Sequence, residues 1–224
     1  MTAAGLRPGR LVVVLGTGTE VGKTWVSVAA LRSWRAAGAT VAARKPAQSF
    51  APDDATTDAA ELAGATGEDP TTVCPTHRWY EVPMAPPMAA DVLGRPPFTI
   101  ADLAAELSWG GPTDVGLVET AGGVRSPLAG DGDALDLVQA IAPDDLILVA
   151  DAGLGTINGV RLAVAAIAAA RGRTGPDWPV HLVVHLNRYD PGDDLHRRNR
   201  RWLADDGLTL TTTTDELTRA ISGP

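Results

Sequence analysis

The sequence has a single cysteine, Cys74, so no disulfide can form within the chain and no cysteine metal cluster can be built from it. It has no apolar run long enough to span a bilayer, which argues against a membrane partner. Residues 1–10 lack the charged-then-apolar layout of a secretory leader, because the apolar stretch from Leu11 to Leu15 is too short. Positive charge is scarce as well. With 19 Lys and Arg against 27 Asp and Glu, the formal charge is −8, which argues against a nonspecific grip on nucleic acid. His77, His181, His185 and His196 have no metal-ligand spacing, and no Ser-His-Asp arrangement can be read. Repeats and low-complexity tracts are absent too. The 45% hydrophobic content supports a packed core, and the expectation is one α/β domain over residues 1–224 in the cytoplasm.

What is present centres on Gly16-Thr-Gly-Thr-Glu-Val-Gly-Lys-Thr24, directly after the apolar stretch Leu11 to Leu15. The order is strand, glycine-rich turn, helix, the context in which such a run binds phosphate. Gly16, Gly18 and Gly22 let the backbone turn tightly, so that the N–H groups of Thr19, Glu20, Val21 and their neighbours can approach phosphate oxygens. The following helix adds the positive end of its dipole. Lys23 can reach a β- or γ-phosphate, and the Thr24 hydroxyl can ligate Mg²⁺. The usual spacing puts the first glycine at position 17, which is Thr17 here, so the loop is a variant with five residues between Gly16 and Gly22. The chain is expected to bind a nucleotide.

Further along, residues 24–37 have helical composition and stop at Gly38, and residues 40–44 form a short β-branched run before Lys45-Pro46. A helix between two short strands makes a crossover unit and a parallel pairing. Residues 48–57 read as a mobile loop, 58–63 as a helical turn with Gly64 behind it, and 67–97 as a proline-rich excursion. Thr99 opens a helix with Asp102 placed to cap it. Strands are expected at 115–119, 146–150, 180–186 and 208–212, and helices at 134–142, from 156 to about 171, 193–204 and 215–221. The alternation predicts a doubly wound, mostly parallel sheet of about seven strands in a three-layer sandwich like that of phosphate-loop nucleotidases. Ligands collect at the carboxyl ends of such strands, which is where Lys45, Glu119, Asp151 to Gly155 and Asn187 fall.

Each of these has a plainer reading. The plainer reading of Lys45 is a solvated surface lysine. Glu119 closes a buried strand where phosphate-loop proteins place a carboxylate for Mg²⁺ or water, and packing alone does not explain it. Asp58, three residues before Glu61, is either a helix N-cap or a metal ligand. Asn187 either reads an adenine edge or ends its strand. Arg197, Arg198, Arg200 and Arg201 read as a solvated helix face balanced by Asp193, Asp194, Asp205 and Asp206.

Taken in order, the variant loop, Lys45-Pro46 with Ser49, Asp58, Val118-Glu119 with Ala-Gly-Gly123, Gly153-Leu-Gly-Thr-Ile-Asn158 and Asn187 resemble dethiobiotin synthetase. The resemblance covers about residues 11–190 and is weakest over the last thirty or so. It implies an enzyme that uses ATP and Mg²⁺ to join 7,8-diaminononanoate and CO₂. A carbamate forms on one amine, is phosphorylated, and is attacked by the neighbouring amine to close the ureido ring. It further implies a homodimer with substrate at the subunit interface. Carried to this sequence, Lys23 and Lys45 would stabilise the carbamate and the transferring phosphoryl group, with Glu20 and Thr19 near the diamine. Thr24, Asp58 and Glu119 would hold Mg²⁺, and Ser49 would contact the carbamate side. Gly122 and its neighbours would offer N–H groups. Gly155, Thr156 and Asn158 would receive the substrate carboxylate from the other subunit. Asn187 would read the adenine. Phe50, Thr120 and Gly159 depart from the family pattern, with glycine usual at the first two and histidine common at the third. Thr120 would add bulk beside the metal site.

Two rivals share the loop. A partition- or cell-division-type regulatory ATPase usually carries an extra lysine early in the loop, and none lies between Gly16 and Thr19. An amide-forming synthetase of the cobyrinate type would need a glutamine-hydrolysing domain that this length does not accommodate.

Overall fold

The computed structural model describes residues 7–174 and 181–222. Val180, placed at a strand start above, and residues 1–6 lie outside them. The chain begins with β1 (Arg10–Gly16), runs through the phosphate loop into α1 (Lys23–Ala36), and returns in β2 (Val41–Arg44). Then come β3 (Gln48–Ser49), α2 (Asp58–Thr66), α3 (Pro70–Val73), β4 (Trp79–Tyr80), α4 (Pro86–Val92) and α5 (Ile100–Glu106). The second half holds β5 (Val115–Glu119), β6 (Pro127–Ala129), β7 (Gly132–Asp133), α6 (Ala134–Ile141), β8 (Asp145–Asp151) and α7 (Thr156–Thr174). It closes with β9 (His181–Asn187), α8 (Asp194–Asp205), β10 (Leu210–Thr211) and α9 (Thr214–Ser222).

Six strands form the main sheet in the order β10-β9-β8-β1-β5-β2, every neighbouring pair parallel. Strand β1 is therefore central, and both faces are covered, which explains its unbroken apolar run. Leu11, Val13 and Leu15 pack on one side with Leu103, Leu135, Val160 and Leu203 of α5, α6, α7 and α8. Val12 and Val14 pack on the other with Val26, Leu62 and Leu217 of α1, α2 and α9. The period-2 alternation of a strand thus builds two cores from one sequence run, giving three layers.

Among the described residues the sheet has six strands, where about seven were expected. The other extended segments pair off as β3–β4 and β6–β7. Strand β3 also corrects the reading of residues 48–57 as a mobile loop: Gln48 and Ser49 pair in parallel with Trp79 and Tyr80. It stays short because a turn follows at once, with Ala51 N donating to Asp54 Oδ2 (2.8 Å) and Asp54 N donating back to Ala51 O (3.0 Å). Helix α2 runs past Gly64 and ends at Gly67, whose φ of 85° is the left-handed conformation that glycine adopts without strain. The expected cap on α5 is present: Thr99 accepts from Asp102 N, and the Asp102 carboxylate accepts from Thr99 N. Of the four arginines on α8, Arg197 and Arg198 pair with Asp194 at the surface.

Candidate active site

The central position of β1 brings its carboxyl end, and the loop after it, between the ends of β5 and β8. In this loop Glu20 (φ 60°) and Gly22 (φ 91°) are both left-handed, the geometry that turns successive N–H groups toward one point. For glycine this costs nothing in sterics. For Glu20 it costs about 1–2 kcal/mol. A Cβ on Gly16 would lie 2.9 Å from Gly18 O and 3.1 Å from Lys23 Nζ, so this glycine lets the loop fold back over its own lysine. Lys23 Nζ donates to Gly18 O at 3.1 Å. Burial, with Lys45 nearby, pushes the Lys23 ammonium down to about 8.

Alternation along the strands decides what stands beside Lys23. Leu117 of β5 faces the α1 layer, so Glu119, two residues on, faces it too. Its Oε2 accepts from Ser27 Oγ of α1 at 2.7 Å. Lys45, one residue past β2, reaches the same place: Nζ lies 2.8 Å from Glu119 Oε1 and 2.7 Å from Asp58 Oδ2. The single proton of Thr24 Oγ1 is shared between Asp58 Oδ1 and Glu119 Oε1, each 2.8 Å away. Glu119 is fully buried and the Lys45 side chain is 2% exposed, while Asp58 is 40% exposed at the cavity. Burial alone would push the Lys45 ammonium down. The charges of Glu119 and Asp58 and their hydrogen bonds outweigh it, and the net direction is up. The same contacts outweigh burial at Asp58 and hold its carboxyl below the usual range.

Asp58 is corrected as a cap, and its carboxylate meets Lys45 instead. Thr57 caps α2, its hydroxyl accepting from Ala60 N, and Asp58 is the first helical residue with its carboxylate free to turn toward Lys45. Thr24, Asp58 and Glu119 present hard oxygens around one hydroxyl, a donor set that suits Mg²⁺. Thr24 and Asp58 line the cavity and Glu119 lies behind them. That cavity, about 670 Å³, is also lined by Thr19, Glu20, Gly22, Lys23, Lys45, Ser49 and Gly122. Ser49 Oγ is buried there without a hydrogen-bond partner, a polar atom suited to meet a ligand.

Other expected residues sit elsewhere. Gly155, just before α7, and Thr156 and Asn158 in its first turn do not line the cavity of their own chain. Thr156 Oγ1 is buried without a partner, and Asn158 is exposed. Asn187 is buried, and its Nδ2 donates to Val21 O at 2.9 Å, so it buttresses the phosphate loop. A Cβ on Gly22 would sit 2.0 Å from that Nδ2. Thr120, expected to crowd the metal site, is instead fully buried, and its hydroxyl donates to Val14 O of β1 at 3.1 Å. Phe50 packs edge-on against Trp79, and a side chain at Gly159 would meet Thr17 at ordinary contact distance.

Sequence reasoning missed Ser27, Arg188 and the rim Pro83 to Pro86 with Ser126 and Pro127, which line or support the cavity. Ser27 had a signal in its spacing, one helical turn past Thr24 on the same face. Arg188 had one in its place, directly after a strand end. The rim lay in the proline-rich excursion, where no period could assign it.

A family model described as an AAA domain matches residues 10–197. The ATP-dependent dethiobiotin synthetase BioD of Caulobacter sp. (strain K31) is 40% identical over 169 residues, 71% of this chain and 71% of that protein. Its namesake in Rhodococcus jostii (strain RHA1) is 38% identical over 176 residues, 75% and 74% of the two chains. Among solved structures, cobyrinic acid a,c-diamide synthase of Mycobacterium smegmatis, with bound ATP analogue and magnesium, matches with a TM-score of 0.52 at 17% identity. That match covers 88% of this chain and 82% of the other, a likeness of fold. With a variant phosphate loop, two converging lysines and relatives at this identity over most of its length, the chain belongs to the ATP-dependent dethiobiotin synthetase family.

Proposed function

We propose that this chain catalyses the ATP-dependent carboxylation and ring closure of 7,8-diaminononanoate to dethiobiotin in biotin biosynthesis, as one catalytic unit in the cytoplasm. One amine attacks CO₂ to form a carbamate C–N bond. A carbamate oxygen takes the γ-phosphoryl group as ADP leaves. The second amine then attacks the carbamoyl carbon, phosphate leaves, and the ureido ring closes.

The observation that carries this reading is the convergence of Lys45, Asp58, Glu119 and Thr24 beside Lys23. Carbamate, transferring phosphoryl group and mixed anhydride are all anionic, and preorganised cations stabilise such charge most where water is excluded. Lys45 suits that task because its two carboxylates keep it protonated, so it serves as a fixed positive charge and not as a base. Lys23, at about 8, is mostly protonated at neutral pH. Thr24, Asp58 and Glu119 would hold Mg²⁺, which when bound neutralises phosphate charge. Ser49 Oγ meets the carbamate side, Thr19 and Glu20 flank the diamine, and the loop N–H groups with Gly122 bind phosphate oxygens. Asn187 contacts the adenine from its place under Val21. Gly155, Thr156 and Asn158, outside their own chain's cavity, serve the site of a second copy in a homodimer.

ADP release measured with each substrate omitted in turn tests the proposal. Turnover requiring MgATP, bicarbonate and the diamine together is expected. Steady ATP hydrolysis without diamine would assign the chain to the regulatory ATPase class instead.

A further inference from the structure

Arg188 follows β9 and takes up an unusual backbone, φ 57°, left-handed for a residue with a side chain. Its Nη2 donates to Glu20 O at 3.2 Å, and its Nη1 lies 3.1 Å from Asp151 Oδ2 at the end of β8. Glu20 is the residue of the phosphate loop that is left-handed without being glycine. A second brace stands alongside, from Asn187 Nδ2 to Val21 O. Consecutive residues at the end of β9 thus grip consecutive carbonyls at the tip of the loop. Asp151 is itself fixed, because its Oδ1 accepts from Gly153 N at 2.7 Å. The guanidinium is therefore anchored on one side and holds the loop on the other.

We infer that Arg188 is a positioning residue for nucleotide binding: it holds Glu20 in the left-handed conformation that points the loop N–H groups at phosphate. The inference rests on the nucleotide-binding reading of the loop. A loop residue with a Cβ relaxes out of this conformation unless something outside the loop holds it. Arg188, reaching from the neighbouring strand end to the carbonyl of that residue, supplies the restraint. Its own left-handed backbone is what lets its side chain turn back across the gap between β9 and the loop.

The test measures the dissociation constant for MgATP by calorimetry on the full chain and on the variants Arg188→Asn, Glu20→Gly and the double substitution. Asparagine tolerates a left-handed backbone, so Arg188→Asn loses the guanidinium and keeps the fold. Glycine at position 20 needs no restraint. Arg188→Asn is expected to weaken binding about tenfold in the wild-type background, the loss of one charge-assisted hydrogen bond that holds the loop. In the Glu20→Gly background the same change is expected to matter by less than about twofold, because nothing remains to be restrained. Unchanged affinity in Arg188→Asn overturns the inference. Equal losses in both backgrounds also overturn it, since the guanidinium then acts on the nucleotide and not through Glu20. A wild-type chain that binds no MgATP overturns the nucleotide reading, and the inference with it.

Discussion

Replacing Lys45 by methionine keeps the length of the buried stem and removes the cation that Asp58 and Glu119 share. At 2.7 and 2.8 Å, each contact carries about 6 kcal/mol of Coulomb attraction at an effective dielectric constant of about 20. Dehydrating three charged groups offsets most of this, and the Asp58 share is further reduced by solvent at its exposed tip. Breaking a buried pair from one side then costs about 3–5 kcal/mol, because Glu119 keeps only the Ser27 and Thr24 hydroxyls as partners. Urea unfolding of Lys45→Met, Glu119→Gln and the double substitution separates the pair from its surroundings. A coupling of about 2–3 kcal/mol is expected, the double variant losing far less than the two single losses combined. The dependence on pH gives an independent sign. In the wild-type chain the depressed Asp58 carboxyl contributes stability present above its ordinary value of 3.8 and lost as pH falls through its folded value. Lys45→Met lacks that contribution, so its deficit should shrink as pH falls below 3.8. Additive losses within about 0.5 kcal/mol, or a deficit that grows on acidification, would refute the reasoning.

Three further outcomes follow from the geometry. His185 is buried against Thr211, and burial pushes its imidazole down to about 4 from 6.5. The unfolded chain therefore binds the extra proton between these values, and acid unfolding should show about 3 kcal/mol lost from pH 6.5 to 4. His185→Asn should flatten that part of the profile. Gly22→Ala would place a methyl 2.0 Å from Asn187 Nδ2 at a left-handed backbone, so nucleotide titration should find affinity at least about tenfold weaker. Thr120→Gly loses the buried hydroxyl contact to Val14 O, and thermal unfolding should show a loss of about 1–3 kcal/mol with turnover little changed. Faster turnover in that variant would mean that Thr120 does crowd the site.

Legibility in the sequence followed how local each determinant is. The phosphate loop, Lys45 and Glu119 could be read because each sits at the end of an apolar run, and strand ends in a parallel sheet share one edge. Their convergence followed from that rule. Asp58 could not be decided, because its direction depends on whether Thr57 or Asp58 itself caps α2, and both residue types cap well. Strands β3 and β4 are two residues each, too short for any period, so Ser49 read as part of a loop. The buttressing of the loop by Asn187 and Arg188 is tertiary: about 166 residues separate Asn187 from Val21 in sequence. Thr120 read as bulk near a metal, yet directly after β5 its hydroxyl turns onto Val14 O of β1.

The most direct measurement incubates the chain with the diamine, MgATP and ¹³C-bicarbonate and follows the product by mass. Dethiobiotin carrying the label in its ureido carbon, formed in step with ADP and lost in Lys45→Met while nucleotide still binds, is the expected result. Consumption of ATP with no labelled dethiobiotin would contradict the assignment of the paired lysines to carbamate chemistry.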